Sequence, residues 1–320
     1  MLTLKFKNTY INHWFTLASD DERKGRLSNI DMYLKDFYYG EKTLEAAEVK
    51  MQKTVLNNLL SKTDFDLVIG GDLSNQLGTI NTCMRDFPKS FLGIYNACST
   101  FVEGLLLASN LIMNNNVDKI CVLTSSHNLT SERQFRFPVE YGALKACYTT
   151  STTTAAVGAI ISNIPSKYKI ISATIGSVVD YGITDVYNMG AVMAPAAASA
   201  INAHLFNMNK RAKDYDIILT GDLGTLGIEL LNEVLKRDFK ISTDNIYDAG
   251  TMIYKESQNK YTGGSGPSVL PLVLFSKIIR QKRYKKILIV GTGALHNPTL
   301  INQKNSIPAI AHVVEIEVES

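Results

Sequence analysis

The chain has 320 residues, 45% hydrophobic and 20% charged, with a formal net charge of +3 at neutral pH. That length buries one large core or two ordinary domains, and the charge is far below what a dedicated nucleic-acid binder carries. The four cysteines, at positions 83, 98, 121 and 147, form no Cys-x-x-Cys pair and no metal spacing, which points to free thiols in a reducing compartment rather than a disulfide framework.

Residues 1–40 mix charge with aromatics such as Trp14, Phe15, Tyr33 and Phe37, and read as an extended arm that packs on something. The start is too short and polar for a signal peptide, and no run of about 18 apolar residues suggests a membrane-spanning helix. Thr43 opens a helix with Leu44, Ala47, Met51 and Val55 on one face. Asp66-Leu-Val-Ile-Gly-Gly-Asp72 is a buried strand ending in a glycine turn, followed by a polar loop containing Asn75. Ser90–Tyr95 reads as a short buried strand. It turns sharply at Cys98 into a helix with Phe101, Leu105, Ala108 and Ile112 on one face.

A cysteine at such an elbow sits at a helix N-terminus, where free N–H groups and the dipole favour a thiolate or a bound anion. The residue is equally read as a small apolar side chain packing the corner. Lys119–Thr124 is a further buried strand, ending in Ser125-Ser-His-Asn128. A long polar segment, 131–141, follows, and then strands at Ala155–Ile161 and Lys169–Gly176.

The second half echoes the first. Asp66-Leu-Val-Ile-Gly-Gly-Asp-Leu-Ser74 returns as Asp216-Ile-Ile-Leu-Thr-Gly-Asp-Leu-Gly224. Ile94-Tyr-Asn-Ala-Cys98 returns as Ile246-Tyr-Asp-Ala-Gly250, and Lys119-Ile-Cys-Val-Leu-Thr124 as Lys286-Ile-Leu-Ile-Val-Gly291. Three echoes in the same order predict a duplicated α/β unit with mixed, mostly parallel sheets covered by helices. The expected division is an arm over 1–40, a first half over 41–175 and a second over 176–320. Ligands in such folds bind beyond the carboxyl ends of strands.

Two related halves, one elbow cysteine and a late glycine-rich loop resemble the thiolase and ketoacyl-synthase superfamily. Within it the chain resembles the stage V sporulation protein AD (SpoVAD) family, through stretches such as Gly71-Asp-Leu-Ser-Asn-Gln76, Ala97-Cys-Ser-Thr100, Ser131-Glu-Arg-Gln-Phe-Arg-Phe-Pro-Val-Glu-Tyr-Gly142, Tyr181-Gly-Ile-Thr-Asp185 and Gly263-Gly-Ser-Gly266. The resemblance implies a thiolase-like, five-layered αβαβα fold. It also implies a role in loading developing bacterial spores with dipicolinic acid, alone or as its calcium chelate, beside other SpoVA membrane proteins. By the same analogy the protein is a homodimer, soluble or peripheral at the spore inner membrane.

A condensing enzyme of the superfamily needs a base beside its thiolate. The loop Gly221-Asp222-Leu223, where a histidine is usual, has none, and no cysteine follows Cys147. The expected activity is therefore binding without catalysis and without a cofactor, the alternatives being acyl-CoA or acyl-carrier chemistry at Cys98 and a purely structural subunit.

A small flat dianion needs oriented donors, a cationic fork and an apolar wall. The candidate ligand residues are Cys98, Arg133 and Arg136, the strand-end Ser126 and His127, Asn75, His296, and Gly263, Gly264 and Ser265 in the late loop. Structural readings stand beside them: pairing with Glu132 or Glu140 for the arginines, a satisfied loop residue for His296, and a tight turn for the glycines. Asp72 and Asp222 are the paired acids of the two halves. They serve either as helix caps or as calcium ligands if the metal arrives with the ligand.

Overall fold

The computed structural model describes residues 1–115 and 117–319. In chain order the first half comprises β1 (Leu2–Lys5), β2 (Tyr10–Ala18), α1 (Asp20–Arg23), β3 (Met32–Tyr33), α2 (Leu44–Leu60), β4 (Leu67–Gly71), α3 (Gly78–Met84), β5 (Ser90–Gly93), α4 (Thr100–Met113), β6 (Lys119–Ser126), α5 (Asn128–Phe135), β7 (Ser151–Thr152) and β8 (Ala155–Ser162). The second comprises β9 (Tyr168–Ile175), α6 (Met189–Met208), β10 (Ile217–Thr220), α7 (Gly224–Phe239), β11 (Ile246–Asp248), β12 (Gly264–Ser265), α8 (Val269–Val273, continued by a π-helical turn to Ile278), β13 (Lys286–Ala294), α9 (Pro298–Asn302) and β14 (Ala309–Val318).

The strands run β5-β4-β6-β8-β2 and then β9-β14-β13-β10-β11, so one half mirrors the other about the β2–β9 seam. The first and third sequence echoes fall on β4 and β10 and on β6 and β13, while the second pairs the elbow just after β5 with β11 and the turn after it. β4 is parallel to β5 and β6, and β10 to β11 and β13; β8 and β14 pair antiparallel with their neighbours. Antiparallel ladders thus weigh more than strand–helix alternation alone implies.

Period-two alternation sends successive side chains to opposite faces, which builds the layers. Ile120 and Val122 join Phe101 and Leu105 of α4 and Leu270 and Phe275 of the α8 region in a central core between the two sheets. Cys121 and Leu123 face the other way, onto Met51 and Val55 of α2. Likewise Ile287 and Ile289 enter the central core, while Leu288 and Val290 meet Met193 and Ile201 of α6. Three cores separated by two sheets give five layers, αβαβα.

Five expectations are corrected. Residues 1–40 are no arm: β2 lies inside the sheet and pairs with β8 and β9. A bulge near Ile11 and the mixed His13, Trp14 and Phe15 mask its period. Because β2 corresponds to β9, the halves divide at 163–167 rather than at 175. β5 is an edge strand and largely exposed, not buried, since no strand among the described residues pairs beyond it. The polar segment after Ser131 lies partly in α5, whose Glu132, Arg133 and Gln134 are good helix formers. Finally, α6 is long and apolar enough to cross a membrane by length and composition, although 72% of its window is buried against the second sheet and α7. Its alanines, with Gly190, Pro195 and His204 among them, hide it from a search for continuous apolar residues.

Candidate functional site

The carboxyl ends of β4, β6, β10 and β13 converge on the elbow before α4. Ala97 holds a left-handed backbone (φ 48°), unusual for a residue with a Cβ, and delivers Cys98 into the Ala97–Ser99 turn that leads into α4. Thr100 braces the turn: its hydroxyl donates to Ala97 O at 2.7 Å and accepts the Asn96 N–H at 3.0 Å. β13 must pass very close, and glycine allows it: a Cβ on Gly293 would lie 2.6 Å from Asn96 O.

A small cavity opens at the elbow. Cys98, Ser265, Arg136 and His296 line it together, so four of the residues singled out in the sequence meet there. Its apolar wall is Leu73, Tyr95, Phe135, Met189 and Met193. Sequence reasoning missed these. Tyr95 adjoins the elbow, and the methionines stand one helical turn apart at the start of α6, but neither pattern identifies a wall before the halves are folded together.

Cys98 faces Ser265, whose hydroxyl is 3.9 Å from the sulfur and donates to Asp222 at 2.7 Å. Burial first, and then the Asp222 carboxylate, push the Cys98 thiol well above its ordinary value. Desolvation and the neighbouring acid both disfavour the thiolate that a helix N-terminus would otherwise favour.

Asp222 is fully buried and accepts from Ser265, from the Gly266 N–H at 3.0 Å and from the Thr292 hydroxyl at 2.9 Å. Asp72 is equally buried. It accepts the Ser74 N–H at 2.6 Å, the Ser74 hydroxyl and the Ile80 N–H at 2.8 Å, which caps the entry to α3. Both aspartates are internal acceptors, and neither lines the cavity at Cys98.

Arg136 has only 7% of its side chain exposed and splits its bonds. Nη1 donates to Glu132 at 2.8 Å and to Thr150 O at 3.2 Å, while Nη2 makes no hydrogen bond among the described residues. Glu132 is also held by Lys145 at 2.9 Å. Burial opposes its ionisation, but Arg136 and Lys145 together keep its pKa below the ordinary value. Glu132 thus lies between two cations, of which Arg136 lines the cavity.

His296 is 7% exposed, its ring tilted on Phe135 at 5.2 Å, and its Nε2 is buried without a partner. Burial, then Arg136, lower its pKa to about 4.

The remaining candidates lie elsewhere. Arg133 is on the surface and pairs with Glu45. His127 is buried against Phe37 O at 2.9 Å, and burial lowers its pKa. Ser126 donates to Thr153 O at 3.0 Å. Asn75 lines an adjoining hollow shared with His296, its N–H held by Gln134 at 3.1 Å. Gly263 borders a separate hollow near Tyr254, and Gly264 is buried in the β7–β12 ladder.

A family model described as stage V sporulation protein AD (SpoVAD) matches residues 1–317. The chain belongs to the SpoVAD family. It is 40% identical over 318 residues to the stage V sporulation protein AD of Bacillus subtilis (strain 168), covering 96% of this chain and 94% of that one.

The chain also shares its architecture with solved structures. The 3-oxoacyl-[acyl-carrier-protein] synthase III of Aquifex aeolicus VF5 has a TM-score of 0.59 at 13% identity, over 97% of this chain and 99% of that chain. The synthase III of Pseudomonas aeruginosa PAO1 has a TM-score of 0.62 at 10% identity, over 98% and 99%. An OleA variant from Xanthomonas campestris with cerulenin has a TM-score of 0.60 at 14% identity, over 98% of each chain. Identities this low speak for the thiolase-like fold alone.

Proposed function

We propose that this SpoVAD chain binds dipicolinic acid without catalysing a reaction, and so supports its uptake into developing spores. The observation that carries the reading is Arg136: a nearly buried guanidinium on the cavity wall with Nη2 unengaged among the described residues. A ligand carboxylate accepts from Nη2 there. The flat ring lies against Phe135, Tyr95 and the two methionines. Acyl chemistry is poorly served, because Cys98 is held as a thiol, Asp222 is committed to three donors, and His296 is a weak base. The open edge of β5 supports a homodimer, and other SpoVA membrane proteins supply the peripheral attachment to the spore inner membrane.

The test is calorimetry of the purified protein at millimolar dipicolinate. Wild type and Arg133→Ala bind alike, while Arg136→Ala binds at least tenfold more weakly. Absence of heat with wild type overturns the reading. Incubation with an acyl-CoA leaves the intact mass unchanged; acylation of Cys98 would overturn the non-catalytic claim.

A further inference from the structure

We propose that the connection from α8 into β13 is a lipid-contacting surface, which holds this chain directly on a bilayer rich in anionic phospholipid. The inference concerns the end of the molecule away from the elbow, and it stands or falls separately from the dipicolinate reading.

The sequence places Lys277, Arg280, Lys282, Arg283, Lys285 and Lys286 close together, with no acid among them. Their six positive charges, against a net charge of +3 for the whole chain, leave the remainder negative. The fold then brings them to one surface. Successive turns carry the chain from Ile278 through Gln281 to Tyr284, and Ile278, Ile279 and Tyr284 join the central core. Arg280, Lys282, Arg283, Lys285 and Lys286 are left exposed, and Lys277 half-buried.

Elsewhere in the second half, cations are taken up by carboxylates: Lys210 by Glu315, Arg211 by Asp214 and Lys260 by Asp21. These six are not. Among the described residues their side-chain hydrogen bonds run only to uncharged oxygens, from Arg280 Nε to Phe275 O at 3.2 Å and from Arg283 Nη2 to the Tyr284 hydroxyl. Asp216 accepts the backbone N–H groups of Lys285 and Lys286, at 2.6 and 2.8 Å. Glu317 lies between Lys286 and Lys169 across the β13–β14–β9 ladder, and Glu319 adjoins the exposed Lys167. Cations thus outnumber acids at this end even with every neighbouring carboxylate included.

The make-up of the patch selects its partner. A specific protein interface has an apolar centre, and a single-stranded nucleic acid needs an exposed ring on which its bases stack. Tyr284, the aromatic residue of the tract, is buried, with the Arg283 guanidinium 4.6 Å from its ring centre. None of the six cations borders the elbow cavity or the hollows beside it. What the patch offers is charge on flexible stems without a pocket, and a sheet of anionic headgroups asks for no more than that. Docking there also leaves the ligand site open, since β13 runs from Lys286 at the patch to Gly293 at the elbow, about 24 Å of extended strand.

The experiment is flotation of the full chain with vesicles of phosphatidylcholine, alone or with about one third phosphatidylglycerol. Wild type binds the mixed vesicles at least about tenfold better than the neutral ones at about 0.05 M salt, and is released at about 0.5 M. A variant carrying Lys282→Gln, Arg283→Gln and Lys285→Gln binds at least about tenfold more weakly. Lys35→Gln, Lys42→Gln and Arg85→Gln together, exposed positions in the first half, change binding by less than about twofold. Should the first variant fold poorly, Lys282→Arg with Lys285→Arg decides, because it keeps the charge and binds as wild type does. Equal binding to both vesicle types, or undiminished binding by the first variant, overturns the proposal. Absence of flotation overturns it too, and retention on polyglutamate in that case reassigns the patch to an acidic protein. The heat of dipicolinate binding is untouched by any of these outcomes.

Discussion

Asn96 and His312 meet at 2.6 Å, which ties the residue two places before the elbow cysteine to the last strand of the second half. The Gly176 N–H donates to His312 Nδ1 at 3.0 Å, so the hydrogen of the neutral ring sits on Nε2. That assigns the amide oxygen of Asn96 to face the histidine and leaves the amide hydrogens for Glu103, whose pKa burial raises and a bond from Asn96 lowers in part. The elbow is thus clamped from both halves. Asn96→Leu strands two buried polar groups and should cost about 2–4 kcal/mol in urea denaturation, whereas Arg133→Ala at the surface should cost under about 0.5 kcal/mol.

His312 is held neutral by burial, with its pKa lowered to about 4. An unfolded histidine titrates near 6.5, so between pH 6.5 and 4 the unfolded chain takes up a proton that the native ring refuses. Its contribution is present above pH 6.5 and is lost as pH falls through that window, at up to about 1.4 kcal/mol per pH unit. The stability advantage of wild type over His312→Gln should therefore shrink from pH 7 to pH 4.5. A constant difference would show that the ring titrates normally in the fold.

Glu48 works in the opposite direction. It is fully buried, accepting from Ser125 at 2.7 Å, and burial followed by the nearby Asp72 raises its pKa to about 8. The native state keeps a proton that the unfolded chain has released above about pH 4.5, so this contribution is complete below that value and fades as pH rises through 8. Glu48→Gln should gain on wild type across pH 5–8, by on the order of 1 kcal/mol per unit. Parallel stability curves for the two proteins would reject the assignment.

Cys98 should be slow toward iodoacetamide at pH 8 because it remains a thiol, while exposed Cys147 is modified first. Peptide mapping by mass spectrometry reads both sites. Asp222→Asn removes the neighbouring negative charge and should speed Cys98 modification several-fold. Preferential labelling of Cys98 in wild type would contradict the protonated state described here.

The duplicated architecture was legible because β4, β6, β10 and β13 are short apolar runs ending in glycine or hydroxyl residues, and their order survives in both halves. What sequence could not give was the partner of each polar side chain. Asp72 and Asp222 look alike in the echoes, and both prove to be internal acceptors, which depends on where Ser74, Ile80, Ser265 and Thr292 fold. Arg133 and Arg136 lie three residues apart in one motif. The helix rotates one toward Glu45 at the surface and the end of the helix turns the other into the cavity, a distinction that only appears once α5 exists.

β2 has a consequence for how the chain acquires its shape. Its main partner, β8, is more than a hundred residues downstream, and β9 follows later still. A nascent chain emerging from the ribosome therefore carries Tyr10–Thr16 without a partner strand, β3 matching only Leu17 and Ala18, until residues 155–162 have been made. Such distant pairing slows folding and leaves a sticky segment exposed meanwhile, so production of the protein should be sensitive to changes at its very beginning.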